Sequence, residues 1–309
     1  MKNELSIRTR ASRIRASMPV LAPVTTLSLK ERLLTRRPRY SFGIIHVGAL
    51  LLIVVIIAMI TLLLINAFPS IQRFGGGFII NRSWNPVEDS YSALPFIYGT
   101  LLTSFLALLI AMPLGIASAI FVNEYCPYKF RNILSILIDL IAAIPSIVFG
   151  MWGVFFLRNI VGLGILNAVL ILTIMIIPTI SSLSREIFSA IPVTYKEAAL
   201  ALGATNYEKI KLAILRPSIS GIIGIAALAL GRATGETMAV VMVIGNTPII
   251  AWSLFAPAAT LSSVLANEYA EASSDLHLSA LCHIAVILFV ISILVNSGTR
   301  ALIRRYRFV

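Results

Sequence analysis

Six apolar runs, at roughly 43–66, 95–122, 132–157, 165–183, 217–245 and 278–297, constrain this chain more than any other feature of it. Each is about the length needed to cross a bilayer, which takes roughly 20 apolar residues. In lipid the backbone must satisfy its own hydrogen bonds, so separate runs of this length fold as helices. Composition agrees. The chain is 58% hydrophobic and 12% charged, whereas roughly a quarter of a soluble domain is charged. The expectation is an all-α, polytopic membrane protein of about six transmembrane helices, without a large soluble domain. A basic, polar stretch precedes the first run, which is too long for a signal-peptide core, so no cleavable signal peptide is expected.

Charge placement orients the spans. With the amino terminus in the cytoplasm, segments 1–42, 123–131, 184–216 and 298–309 face inward and hold 21 of the 25 Lys and Arg residues. Three basic residues, Arg73, Arg82 and Arg158, then lie outside, and Arg232 lies within a span. This is the positive-inside pattern, and it places both termini in the cytoplasm of a cell-membrane protein. It also accounts for the net charge of +12 without a nucleic-acid partner. The expected partner of most of the surface is the lipid bilayer. The domain division is a basic cytoplasmic tail (1–42), a transmembrane domain (43–297) and a second basic tail (298–309).

Two outer connections stand out. Loop 67–94, with a Gly-rich Phe74–Phe78 stretch, Trp84 and Pro86, reads as irregular chain packed at the membrane surface. Loop 246–277 carries Glu268, Glu271 and Asp275 and no basic residue, with a short re-entrant or interfacial helix near Trp252–Leu265. Pro113, Pro145 and Pro178 fall inside the second, third and fourth spans and should bend them. Such bends suit a transport pathway and are also common in helical membrane bundles.

The inner loop 184–216 contains IPVTYKEAALALGATNYEKIKLAILRP, residues 191–217. Thr194 with Glu197, and Thr205 with Glu208, have capping-box spacing. Gly203 lies between them, where a helix end needs positive φ. The pattern predicts a short helix, a glycine turn and a second helix leading into span five. Glu197 would sit at the positive end of the first helix, and Ala198 and Ala199 would let another backbone come close. On the residues alone this is either an ordinary connector or a docking element.

Span five contains Gly231-Arg232-Ala233-Thr234-Gly235-Glu236-Thr237. Arg232 falls near the middle of the run, where a lone charge costs on the order of 3 kcal/mol. Glu236 is four residues on and could neutralise it across one helical turn. Thr234 and Thr237 could add hydrogen bonds, and Gly231 and Gly235 could admit a close helix. The pair is either a structural lock or an anion-handling group, since a guanidinium grips a tetrahedral oxyanion well. Asp139, in span three, reads as an electrostatic partner for a polar neighbour.

Several chemistries find no residues here. There is no Gly-Lys dipeptide, hence no phosphate-cradling loop of the kind an ATPase needs, so any ATP is hydrolysed by another subunit. Cys126 and Cys282 match no metal or redox spacing and read as free thiols. His46, His277 and His283 read as interfacial or packing residues. Neither a catalytic set, a cofactor nor a metal is expected.

Glu197-Ala198-Ala199, three residues, Gly203, and Leu215 farther on resemble the EAA loop of importer-type ABC permeases. The proline that follows the leucine there is one place late here, at Pro217. The resemblance implies that this loop docks into a cleft on a cytoplasmic ATPase, through Glu197, Ala198, Ala199 and Gly203. Residues 231–246, GRATGETMAVVMVIGN, further resemble the C-type permease subunit of phosphate-specific ABC importers. Met238-Ala239-Val240 stands where the companion A-type subunit usually has Ala-Pro. Trp84-Asn85-Pro86, residues 93–100 and residues 144–150 extend the likeness over roughly 80–300.

That resemblance implies a type I importer permease of the MetI-like fold that translocates inorganic phosphate. It implies a heterodimer with an A-type permease, two cytoplasmic ATPase subunits and an external phosphate-binding protein. Arg232 and Glu236 would line the substrate pathway, with Thr237 beside them. Arg232 would lower the barrier for the anion, and Glu236 would keep it from binding too tightly. Another oxyanion (sulfate, molybdate or tungstate), or a non-transporting sensor or scaffold that binds an ATPase, would use the same architecture.

Overall fold

A computed structural model describes residues 39–306. The tail expected at residues 1–42 lies outside the described residues as far as residue 38, and the last three positions of the tail at 298–309 do likewise. The chain divides after Ala58 into two compact units. What is described of the first is the start of helix α1 (Arg39–Phe74), whose apolar side chains from Ile45 to Ile57 are exposed.

The regular structure of the second unit is helical, with two isolated bridges among the described residues. After α1 come α2 (Leu94–Ile120), α3 (Tyr128–Ala142), α4 (Ser146–Trp152), α5 (Ile165–Ser189), α6 (Val193–Ala201), α7 (Asn206–Lys209), α8 (Arg216–Gly235), α9 (Met238–Val243), α10 (Leu261–Glu268) and α11 (Asp275–Tyr306). Among the described residues five helices are long and apolar enough to cross a membrane, or six if a bent pair counts as one span. The expected all-α, polytopic architecture is therefore present.

α5 is the centre of this unit, and α2 runs along it. Ala107, Ala111 and Gly115 form the contact face of α2, against Ile176 and Ile180. A Cβ on Gly115 would come within 2.6 Å of the Ile180 side chain. Lipid is as apolar as leucine, so helices gain by close packing over small residues rather than by burying bulk. α8 and α9 close the same core through Ile225, Ala229, Ala233, Ala239 and Val243.

The spans differ from their expected form in four places. The first helix continues to Phe74 and absorbs the start of the loop expected at 67–94. The third span is two helices, Tyr128–Ala142 and Ser146–Val161, meeting at 83°. Pro145 has no amide to donate and an extended ψ of 136°, and Ile144 before it is pushed away from helical geometry; the helix breaks rather than bends. The fifth span, expected to reach 245, stops at Gly235. The last helix runs on to Tyr306, through most of the expected carboxy-terminal tail. Pro113 and Pro178 do lie inside α2 and α5.

One end of the unit is an aromatic cap. Trp84 meets Tyr91 and Phe96 edge-on, each at 5.0 Å between centroids. Its indole N–H donates to Glu268 at 3.0 Å, and His277 bonds the same carboxylate oxygen. His283 stacks on Phe78 at 4.0 Å and bonds Ser70. These two histidines are packing residues, as expected, and both cysteines are unbridged. α2 approaches residue 259 so closely that a Cβ on Gly99 would lie 2.1 Å from the Ala259 carbonyl oxygen.

The helix expected near Trp252–Leu265 is displaced to Leu261–Glu268. Pro257 interrupts the first position, and the second has a capping box of Thr260 with Ser263. The stretch before it is irregular and is strapped to the start of α5. Ile165 N–H donates to Ala256 O at 3.1 Å, and Leu166 N–H to Leu254 O at 2.7 Å.

Candidate functional site

The first candidate lies where α8 ends. Glu236 is extended (φ −71°, ψ 122°), and α9 begins after Thr237. Ser262, at the start of α10, donates to the Glu236 carbonyl at 2.9 Å and so satisfies a group the break leaves open. Thr234 and Thr237 hydroxyls bond local carbonyls, those of Gly231 and Gly235. The chain breaks here because Gly235 is a poor helix residue and a neighbouring element supplies the missing donor.

Arg232 consequently sits in the last turn of its helix, where a cation complements the carbonyl end of the dipole. It is not buried among the helices of this chain, and no ion pair joins it to Glu236. The break turns Glu236 out of the helical register that a four-residue pair requires. Arg232 instead donates to the Thr179 hydroxyl of α5 at 2.9 Å, one residue beyond Pro178. Its other N–H groups have no partner among the described residues. Leu228, Arg232 and Gly235 fall at spacings of four and three along α8 and are exposed, as is Met238 beyond the break. Gly235 has open space around it, so no helix among the described residues uses the close approach expected there. Glu236 and Thr237 are half-buried beside that stripe.

The second candidate is the elbow of α6 and α7. Gly203 turns the chain with φ +85°, as its position predicts. Thr205 caps α7, and its capping box with Glu208 is formed in both directions. The box expected of Thr194 and Glu197 is not formed. α6 begins at Val193 on the Pro192 carbonyl, without a side-chain cap. Glu197 is therefore in the second turn, away from the helix start. Glu197 and Ala198 are exposed, and Ala199 is partly so. Ala198, Ala199 and Gly203, with Tyr195, Leu202 and Leu212, line an open groove of about 540 Å³. After α7 the helix widens to π geometry over Ile210–Leu215. Pro217 has no N–H for the Ala213 carbonyl, which accounts for the wide turn ahead of it.

Sequence reasoning missed the group that holds this elbow. Glu124 lies in a second wide turn, Phe121–Tyr125, at the end of α2. It pairs with Lys196 of α6 at 2.6 Å and with Lys209 of α7 at 3.0 Å. The available signal was that Glu124 is the single acid in the basic segment 123–131. Nearby, Asp139 pairs with Arg185 at 2.9 Å, the polar-neighbour role expected of it.

Residues 111–308 match the family described as the binding-protein-dependent transport system inner membrane component. The phosphate transport system permease protein PstC of Mesorhizobium japonicum is 39% identical over 285 residues, covering 84% of this chain and 87% of that protein. The PstC of Haemophilus influenzae is 39% identical over 284 residues, covering 83% and 90%. The probable PstC of Methanocaldococcus jannaschii is 34% identical over 315 residues, covering 91% and 98%. Among solved structures, the inward-facing MetNI methionine ABC transporter superposes with a TM-score of 0.57 at 20% identity, over 68% of this chain and 94% of that chain. A bacterial ABC transporter involved in alginate import gives 0.53 at 18% identity, over 81% and 95%; both likenesses concern the fold. This chain belongs to the binding-protein-dependent transport inner-membrane components and, among them, to the PstC permeases.

Proposed function

We propose that this chain is the C-type permease subunit of an ATP-driven importer that carries inorganic phosphate across the cell membrane. The observation that carries the reading is the exposed Arg232 guanidinium. One bond to Thr179 positions it, and its remaining donors have no partner among the described residues. It stands on a stripe of α8 that this chain leaves uncovered, in a protein whose relatives are named for phosphate transport. A second, A-type permease covers that stripe and completes the pathway between the two subunits. Arg232 meets the anion there. Glu236 and Thr237, released from helical geometry, face the same passage, and the carboxylate limits how tightly phosphate is held.

The exposed groove of Ala198, Ala199 and Gly203, together with the exposed Glu197 of the same helix, receives the cytoplasmic ATPase. Two ATPase subunits hydrolyse the nucleotide, and an external binding protein delivers phosphate on the opposite side. Both termini and loop 184–216 are cytoplasmic, as the distribution of Lys and Arg favours. The permease domain is residues 43–297, flanked by two basic tails.

Arg232→Gln in the assembled complex tests the pathway. Losing charge-assisted contacts to an oxyanion lowers phosphate uptake roughly ten- to a hundredfold, while the subunits still copurify. Arg232→Lys keeps the charge without the planar fork and falls between. Uptake unchanged by Arg232→Gln removes Arg232 from the pathway.

A further inference from the structure

We infer that Glu124 is a positioning residue for energy coupling: its one carboxylate holds both limbs of the elbow and so ties the ATPase-facing loop to α2. This deepens the proposed function and rests on its reading that the elbow docks on the ATPase.

Three observations carry it. Lys196 and Lys209 stand on either side of the Gly203 turn, one on each limb, and each takes a different oxygen of Glu124. The carboxylate side chain is 8% exposed, and the lysine side chains are 20% and 13% exposed, so the triad is largely out of water. The turn that carries Glu124 is itself a junction. Arg131 of α3 donates to the Val122 and Asn123 carbonyls, and the Asn123 amide donates to the Arg185 carbonyl of α5.

The elbow itself has little else to set its angle. Gly203 has positive φ and open space around it, and the turn is closed by local backbone bonds, Gly203 N–H to Leu200 O and Ala204 N–H to Ala199 O, rather than by packed side chains. Ile210 and Ile214 of the second limb pack on Phe188 and Ala119. The first limb, α6, buries none of its residues. Two ammonium groups converging on one carboxylate thus fix α6 relative to α7, and both relative to the end of α2. A buried ion pair is weak evidence for stability in itself, because desolvation offsets much of the attraction. What this arrangement supplies is a defined geometry between three helices.

The test uses the complete transporter in proteoliposomes, with binding protein and inorganic phosphate. ATP hydrolysis and phosphate uptake are measured together, and Ala199→Cys reports docking by cross-linking to the ATPase. Glu124→Gln should leave cross-linking and hydrolysis in place and lower phosphate moved per ATP roughly tenfold, because the amide oxygen can still accept from one lysine but no longer carries the charge that holds both. Lys209→Met, which leaves Lys196 on the carboxylate, should lower the same ratio by less. The swap of Glu124→Lys with Lys196→Glu and Lys209→Glu should restore it. If uptake and hydrolysis fall in proportion, the triad serves folding alone and the inference is overturned. A ratio unchanged in both Glu124→Gln and Lys209→Met overturns it as well. Failure of Ala199→Cys to cross-link in the otherwise unaltered complex is a different result: it removes the docking reading, and this inference with it.

Discussion

The two ends of the second unit are held by different physics. At the cap, Phe78, Trp84, Tyr91 and Phe96 interlock with Leu261, Leu281 and Ile284, and the polar atoms there bond to a shared Glu268. At the elbow, the buried apolar cluster shrinks to Ala119, Phe188, Ile210 and Ile214, and charge takes over the work of holding α6. Interlocked rings resist displacement, because a gap of about 0.5–1 Å already forfeits roughly a quarter to a half of each packing contact. Ammonium groups on flexible stems permit small rotations while keeping their partner. The cap is therefore suited to be the fixed end and the elbow the adjustable one.

The contrast can be broken by mutation. Trp84→Ala empties the centre of the cap and removes one of the two bonds to Glu268; it should lower global stability by about 3–5 kcal/mol, read as thermal unfolding of the purified protein in detergent. Gly99→Ala forces a methyl onto the Ala259 carbonyl and should cost about 1–3 kcal/mol by the same measurement. Gly203→Ala has space for its methyl but an unfavourable φ. Its cost of about 1–2 kcal/mol should appear as faster amide exchange around the elbow, with the global transition unmoved. Thr205→Ala removes one cap and should cost about 1 kcal/mol, confined to exchange of residues 206–209. A Gly203→Ala protein that unfolds globally as early as Trp84→Ala would show that the two ends are one cooperative unit.

Features set by neighbouring residues were legible in the sequence. Gly203 and the Thr205–Glu208 box needed only local backbone geometry, and both stand as expected. The six apolar runs were legible because lipid allows them few other folds. Features set by distant residues were not. The break at Glu236 depends on a hydroxyl 26 positions away. The elbow clamp joins positions 72 apart, Glu124 and Lys196. The Arg232–Glu236 pairing failed for the same reason: four-residue spacing assumes a helix that tertiary contacts had ended. Thr194 was a plausible cap, but Pro192 started the helix two residues sooner.

From Asn206 to Gly235 the chain is one continuous 30-residue helix. Arg232 lies about 40 Å along it from the Thr205 cap, at about 1.5 Å per residue. Pivoting that rod by a single degree about its elbow end carries the guanidinium sideways by about 0.7 Å. A tilt of only a few degrees at the elbow is thus enough to take the Arg232–Thr179 contact from bonded to broken, without any change in the shape of the rod itself.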